Sequence, residues 1–568
     1  MSTEGEREAA VLEQGVRLAE SSLWKFQRRF YDDRGVRAWS DRVVPTHITS
    51  NAFMADAYAR VIMRVLQDCA SQGSDGAMSL DPSEPVHVIE LGAGSGYFAH
   101  LVLSKLIDLQ KRVTFAAPRV CYVATDFTRS NVEQWKQHPC LRPLADYGLF
   151  DAARFDAESD EEIELELSGR TLAPGRVANP VIVIANYVFD TLHHDVFRVR
   201  GSALEEGMAT LRCEPETDDP ADANELLDRL RVDFEYRPLV GRAYDDPVME
   251  AVVREYAEEL GDTALPFPTG AMACVRNLER LAGGRLVILS ADKGYTRLSD
   301  LAGQGDPHIV HHGSISMMVN YHALGRYVEE AQDGFMMATT DRAASLEIAL
   351  ISTATADALP ETRSAFHEAI DRAGPLDIYQ ITGGTLQDPT LEQLLAVMRA
   401  SRYDPMTFMG ITKQLQPRVT DLTASALLRV RHALHEVWKL YFPLPDHRAV
   451  PFELGFVHYV MGQWAEALYY YQQSIHFCGE HPVTFYNMGL CQYRLGQPAE
   501  ALRLFERSLA LDPSYGPARD WRLHAMDELA DPPVLPPTAP SADEADTDRS
   551  SDEPKKAARR RRPPGTTH

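Results

Sequence analysis

The segment that most constrains this chain is Val88-Ile-Glu90-Leu-Gly92-Ala-Gly94-Ser-Gly96-Tyr-Phe. A short apolar run from Val86 to Leu91 leads into three glycines at alternate positions. A helical pattern then starts at Tyr97 and continues to about Leu109. Strand, glycine turn and helix start in that order bring the backbone close to a ligand, where any Cβ would obstruct the approach. Further short apolar runs follow at Val120–Ala124, Val181–Ala185 and Arg285–Leu289. Buried β-rich runs alternating with helical stretches predict an α/β fold built on a mostly parallel sheet covered on both faces. The chain has 568 residues, more than one core usually organises, so two or three domains are expected.

Three further features stand at or just beyond the ends of predicted strands. Asp126 follows the run Val120–Ala124, and an acid at the tip of a second strand can accept hydrogen bonds from ribose hydroxyls. Phe155-Asp156 pairs an apolar ring with a carboxylate, which suits an adenine face and its amino group. Asn186 directly follows Val181–Ala185. Ligands of open parallel sheets bind at the carboxyl ends of the strands. Together with Glu90, these positions predict a nucleotide-type ligand.

The dinucleotide fingerprint is G-x-G-x-x-G, whereas here the third glycine comes one position early and Glu90 stands two residues before the first. This E-x-G-x-G-x-G pattern resembles the first motif of class I methyltransferases that use S-adenosylmethionine (SAM). Residues Val44-Pro-Thr-His-Ile-Thr-Ser-Asn51, Ala185-Asn186-Tyr-Val-Phe189-Asp190-Thr-Leu192 and Ser290-Ala-Asp292-Lys-Gly294-Tyr narrow the likeness. Over about residues 24–345 the chain is similar to the MidA-type methyltransferase family, which includes the mitochondrial arginine methyltransferase that assists complex I assembly. The resemblance implies a Rossmann-like methyltransferase fold and SAM as cofactor. It implies cofactor binding by Glu90, Gly92, Gly94, Gly96, Asp126, Phe155, Asp156 and Asn186. The family's fourth-strand motif reads Ala-Asn-Glu-x-x-Asp, and here the Glu position is Tyr187. A carboxylate there could orient a guanidinium bidentately, so the expected acceptor is a group other than arginine, or an arginine held by different carboxylates such as Asp190.

Methyl transfer needs an in-line nucleophile and excluded water more than acid–base machinery. Asp190, Asn186 and His193 are the expected catalytic residues, with His194 beside them. A non-catalytic scaffold and a small-molecule methyltransferase are the alternative readings.

Other segments bear on organisation. Residues 11–35 read as helix, ending at Asp32-Asp33-Arg-Gly35, and a second helix follows Ser50-Asn51 through Tyr58 and Val65. The stretch Glu214–Asp228 reads as an acidic surface insertion, and about 356–440 as helical. From Leu454 a period of 34 residues is visible: Gly455 recurs as Gly489, Gly462 as Gly496, Ala467 as Ala501, Tyr471 as Phe505 and Ser474 as Ser508. That pattern resembles the tetratricopeptide repeat, two stacked helices per copy. The repeats are expected to form a separately folding array that recruits a protein partner, with a groove around His458-Tyr459 and Gln492-Tyr493. The expected divisions are an N-terminal helical segment (1–80), the methyltransferase domain (81–350), a helical connection (351–445), the repeats (446–530) and a disordered tail (531–568) carrying the basic run Lys555–Arg562.

With 57 Lys and Arg against 82 Asp and Glu, the net charge is −25, which argues against nucleic-acid binding by the main body. No apolar run is long enough to span a bilayer. The seven cysteines form no C-x-x-C pair, which fits a reducing, cytoplasmic setting and no zinc site. His308, His311 and His312 lack the partners of a metal site, so no metal is expected.

Overall fold

The computed structural model describes residues 9–40, 47–73, 76–115, 118–215, 226–311, 314–340, 346–372, 374–384 and 387–530. Most of the acidic insertion, Val44 to Thr46, His312 and the tail with its basic run lie outside them.

A seven-stranded sheet forms the centre: β1 Val86–Glu90, β2 Val120–Asp126, β3 Phe150–Arg154, β4 Val181–Asn186, β5 Leu286–Asp292, β6 Phe335–Ala338 and β7 Glu347–Ser352. Its order is β3-β2-β1-β4-β5-β7-β6. Strands β1 to β5 run parallel, β7 is antiparallel to β5, and β6 is antiparallel to β7. Every residue of β1, β2, β5 and β7 is buried. Continuous rather than alternating burial is what helices on both faces produce. The chain turns from building outward past β2 to building outward past β4 at β1. That reversal opens a crevice at the carboxyl ends of β1 and β4.

Helices α1 Leu23–Arg34, α2 Ala52–Ser71 and α3 Tyr97–Gln110 frame the crevice. Asn51 starts α2 as the sequence predicts, its side chain accepting the Met54 amide at 2.8 Å. Residues 11–35 differ from expectation. Only α1 is helical. Ala10–Arg17 is a strand, paired antiparallel with Ala203–Cys213 across two register shifts. An available sheet edge overrides local helix preference. That edge belongs to a second, antiparallel sheet of five strands, which adds Asp195–Arg200, Leu230–Pro238 and Thr263–Phe267. The sequence reading missed this sheet.

Behind the sheet come α4 Leu391–Ala400, α5 Pro405–Leu415, α6 Ala424–Lys439, α7 Ala449–Val460, α8 Trp464–Cys478, α9 Pro482–Arg494, α10 Pro498–Leu511 and α11 Gly516–Ala530. The 34-residue period has a packing cause. A Cβ on Gly455 would lie 2.9 Å from the Tyr471 ring, and one on Gly489 only 2.5 Å from the Phe505 ring. Each glycine lets its helix close on the next at the aromatic position of the same copy.

The array, expected to fold separately, is joined to the α/β unit by shared cores. Leu394, Phe408, Val430, Leu454 and Tyr470 share one core spanning α4 to α8. Phe442 stacks on His138 at 3.8 Å and packs against Tyr97 and His100, joining the core of α2 and α3. Asp404 caps α5 through Met406 and Thr407 while its other oxygen accepts the Ala52 amide that opens α2. His458 is buried and stacked on Tyr470, yet it lines an open pocket with Arg431, His435, Glu466 and Tyr469, while Tyr493 is half-buried and leans on Trp521.

Replacing Gly489 by Ala should destabilise the array by about 1–3 kcal/mol, the usual cost of overpacking. Adding Phe505→Leu should recover part of that loss. Thermal melts of the two single variants and the double variant would check this. Strictly additive losses would contradict the contact.

Candidate functional site

Glu90 ends β1 almost fully buried, at 5% exposure. Its carboxylate accepts the Tyr122 hydroxyl at 2.9 Å. Burial pushes its pKa up to about 8, against the pull of that hydrogen bond. The turn that follows has positive φ at Gly92 (58°), Gly94 (54°) and Gly96 (76°), a conformation that side-chain-bearing residues rarely adopt. The Ala93 amide donates to Thr125 O at 2.9 Å and the Trp135 indole to Gly94 O at 3.0 Å, which pins the turn against β2. Gly92 and Gly94 line the crevice. Gly96 does not: a Cβ there would meet the Trp135 ring at 2.9 Å, so its role is to seat α3.

Asp126 ends β2 buried, accepting the Thr128 amide at 2.8 Å and the Asn131 amide group at 2.9 Å. Burial still raises its pKa above the usual carboxylate value. Asn186 ends β4. Its Oδ1 accepts the Tyr58 hydroxyl at 2.9 Å, and its Nδ2 is buried with no partner among the described residues. Tyr187 follows with φ of 54°, its amide donating to Ala291 O at 2.9 Å.

The crevice has two chambers that share Tyr31, Gly92, Phe127 and Thr191. One holds Glu90, Gly94, Asp126, Asn186 and Tyr187. The other holds Phe155, Asp156, Glu158 and His193, closed by Trp24 and Arg28 of α1. Arg28 ion-pairs with Asp156 and lies over the Phe127 ring at 4.7 Å. Burial would raise the Asp156 carboxyl, but the hydrogen bond and charge of Arg28, with the Glu158 amide and the Ser159 side chain, together hold the group below its ordinary pKa. His193 Nδ1 sits 2.7 Å from Glu158, and its ring is 5.2 Å from Trp24. It therefore lies with Phe155 and Asp156 rather than with Asn186. His194 is buried behind it, its Nδ1 on Leu192 O at 2.8 Å, and burial lowers its pKa to about 4.

Asp190 lines neither chamber. It is buried against Asp292 of β5, at 4% and 0% exposure respectively. The α1 residues Trp24, Arg28 and Tyr31 were missed by sequence reasoning, because only the tertiary fold lays that helix over the crevice. Phe127 carried a readable signal, an aromatic ring directly after the strand-end acid. Among the described residues no cluster of three or more His, Cys, Asp or Glu side chains is placed to hold a metal ion.

Residues 69–299 match the family model described as "Putative S-adenosyl-L-methionine-dependent methyltransferase". The α/β unit is a SAM-dependent methyltransferase domain. Residues 448–514 match the tetratricopeptide repeat. Comparison with curated proteins returns no match. Among solved structures, an uncharacterized protein from Burkholderia thailandensis is 14% identical over 61% of this chain and 90% of its own, with a TM-score of 0.36. A second protein from that organism, bound to S-adenosyl-homocysteine, is 15% identical over 60% of this chain and 95% of its own, with a TM-score of 0.32. At such scores neither carries an argument about this chain.

The methyltransferase domain's donor set fits its cofactor. Glu90 offers a carboxylate for an ammonium, Asp126 one for paired hydroxyls, and Asn186 an unpartnered donor, while Phe127 and Phe155 give the second chamber aromatic walls.

Glu90 also sets a pH dependence. Its pKa is raised in the fold, so its stabilising contribution is complete below 4.5 and is lost as pH rises towards 8. Glu90→Gln removes that loss. The variant's melting temperature relative to the unchanged protein should therefore climb across this window when measured without cofactor. A difference that stays flat with pH would refute the raised pKa.

Proposed function

We propose that the methyltransferase domain transfers the methyl group of SAM to a protein-borne acceptor, recruited by the repeats and presented beside Asn186 and Tyr187. The observation that carries the reading is the unpartnered Nδ2 of Asn186, buried in the same chamber as Glu90 and the glycine turn. SAM supplies an electrophilic methyl group and a neutral thioether leaving group. The protein's part is placement. Phe155 takes the adenine face in the second chamber, Asp126 the ribose hydroxyls, Glu90 the ammonium, and the open backbone at Gly92 and Gly94 the chain between them. Asn186, oriented by Tyr58, then offers a hydrogen bond that holds the acceptor in line.

Asp190 and His193 are less suited to act as base than the sequence pattern suggests. Asp190 is turned into the Asp292 contact, and His193 belongs to the adenine side. An amine attacks without a base and releases its proton to water afterwards. With Tyr187 where the family carries Glu, we favour such an amine over a guanidinium. The repeats, which in this architecture present helical hairpins to other proteins, support a macromolecular acceptor. All seven cysteines are unpaired, which supports a reducing compartment and a cytoplasmic protein. No helix among the described residues is long and apolar enough to cross a membrane.

Calorimetric titration of the full chain with SAM and with S-adenosyl-homocysteine tests the cofactor half. Gly94→Val should abolish binding, and Asp126→Ala should weaken it by about 1–3 kcal/mol. Incubating the protein with methyl-labelled SAM and a cell extract tests the acceptor half. Label in protein-borne amines supports the proposal. Label confined to small metabolites, or methylarginine as the sole product, overturns it.

A further inference from the structure

Tyr187 is held at φ 54°, a conformation that costs a tyrosine about 1 kcal/mol or more and needs neighbours to enforce it. The enforcing group comes from the next strand. Asp292, the last residue of β5, turns its Oδ2 towards β4 and accepts the amides of Val188 at 3.2 Å and Phe189 at 3.1 Å. The Tyr187 amide is taken by the neighbouring carbonyl of Ala291 at 2.9 Å. Three consecutive amides after Asn186 therefore end on two adjacent residues of β5. The side chain of Asp292 is fully buried, its Oδ1 and the Oδ1 of Asp190 meet no donor group among the described residues, and the two carboxyl groups lie within hydrogen-bonding reach of each other.

We propose that Asp292 is the positioning residue of the Asn186 chamber, fixing the turn that aims Asn186 and Tyr187 into the site and locking it through its contact with Asp190. The inference rests on reading that chamber as the cofactor and acceptor site. Asp292 touches neither ligand and acts through the turn.

The chemistry of the contact explains why both acids are there. Two carboxyl groups hydrogen-bond only when one is protonated. Burial raises both pKa values, and each carboxylate makes the other harder to ionise. The groups facing the pair are Tyr31 of α1, Tyr58 of α2, Tyr187, Tyr321 and Lys293. The tyrosines, themselves raised by burial, stay neutral, and Lys293 favours ionisation of Asp190. Below the range where the pair ionises, one shared proton closes the contact. Above it, two anions repel and the turn loosens.

Calorimetry with S-adenosyl-homocysteine on the full chain tests this with two variants. Asp292→Ala removes the acceptor of both amides. Asp292→Asn keeps an oxygen for those amides and gives Asp190 a permanent donor in place of the shared proton. Asp292→Ala should bind about tenfold more weakly or worse, and Asp292→Asn should return to within about threefold of the unchanged protein. From about pH 7 to about pH 9 the unchanged protein should lose affinity relative to Asp292→Asn, because only it has the proton to lose. Equal affinity of Asp292→Ala and the unchanged protein overturns the proposal, as does an Asn variant no better than the Ala variant. If Asp292→Ala does not fold, the pH profile of Asp292→Asn decides, and a profile parallel to that of the unchanged protein overturns the proposal. If the unchanged protein binds no S-adenosyl-homocysteine, the reading of the chamber itself falls. A loss confined to the variants faults only the role of Asp292.

Discussion

The backbone of Gly92 to Gly96 is the constraint on which the site depends. Its positive φ angles bend the chain off β1 with no side chain in the way, and the Ala93 amide and the Gly94 carbonyl are held by β2 and Trp135. Because the turn is pinned from behind, the two chambers lie on either side of Gly92 and share it as a wall. Glu90, Asp126 and Asn186 then converge from β1, β2 and β4, which are neighbours only because the sheet reverses its build direction at β1.

Buried carboxylates do much of the remaining construction. A buried acid needs partners, and here several partners are backbone amides. Asp404 caps α5 and the first amide of α2 together, tying the helical region to the helix that carries Tyr58. Asp292 does the same for the turn after β4. Such carboxylates hold elements that packing alone would leave free to slide.

The contact between the methyltransferase domain and the repeat region has a direct line to the glycine turn. Tyr97 is the first residue of α3, immediately after Gly96, and its ring meets His447 at 4.7 Å and Phe442 at 5.7 Å. Phe442 and His447 lie on the connection between α6 and α7. The helix that receives the glycine turn is thus seated partly by the segment that leads into the repeats.

Local chemistry made much of this legible in the sequence. A glycine at alternate positions has few uses other than a backbone turn, so β1, the turn and α3 could be read directly. Apolar runs marked β2, β4 and β5, and Asn51 marked the start of α2. A period of 34 residues could be read because each Gly and its aromatic partner sit at fixed spacing within one hairpin. What the sequence left open depended on distant partners. Ala10–Arg17 carries no strand signal of its own and becomes one because Ala203–Cys213 offers an edge. Arg28 and Trp24 join the site because α1 crosses it, some 128 residues from Asp156 in the chain. Asp190 reads as a catalytic residue from its motif, yet it is buried against β5. Residue types and short-range spacing determined the fold class, the glycine turn and the repeats. Which acids face the crevice and which face one another was decided by long-range packing, because burial and neighbouring charge set a carboxylate's role and neither is written in its local sequence.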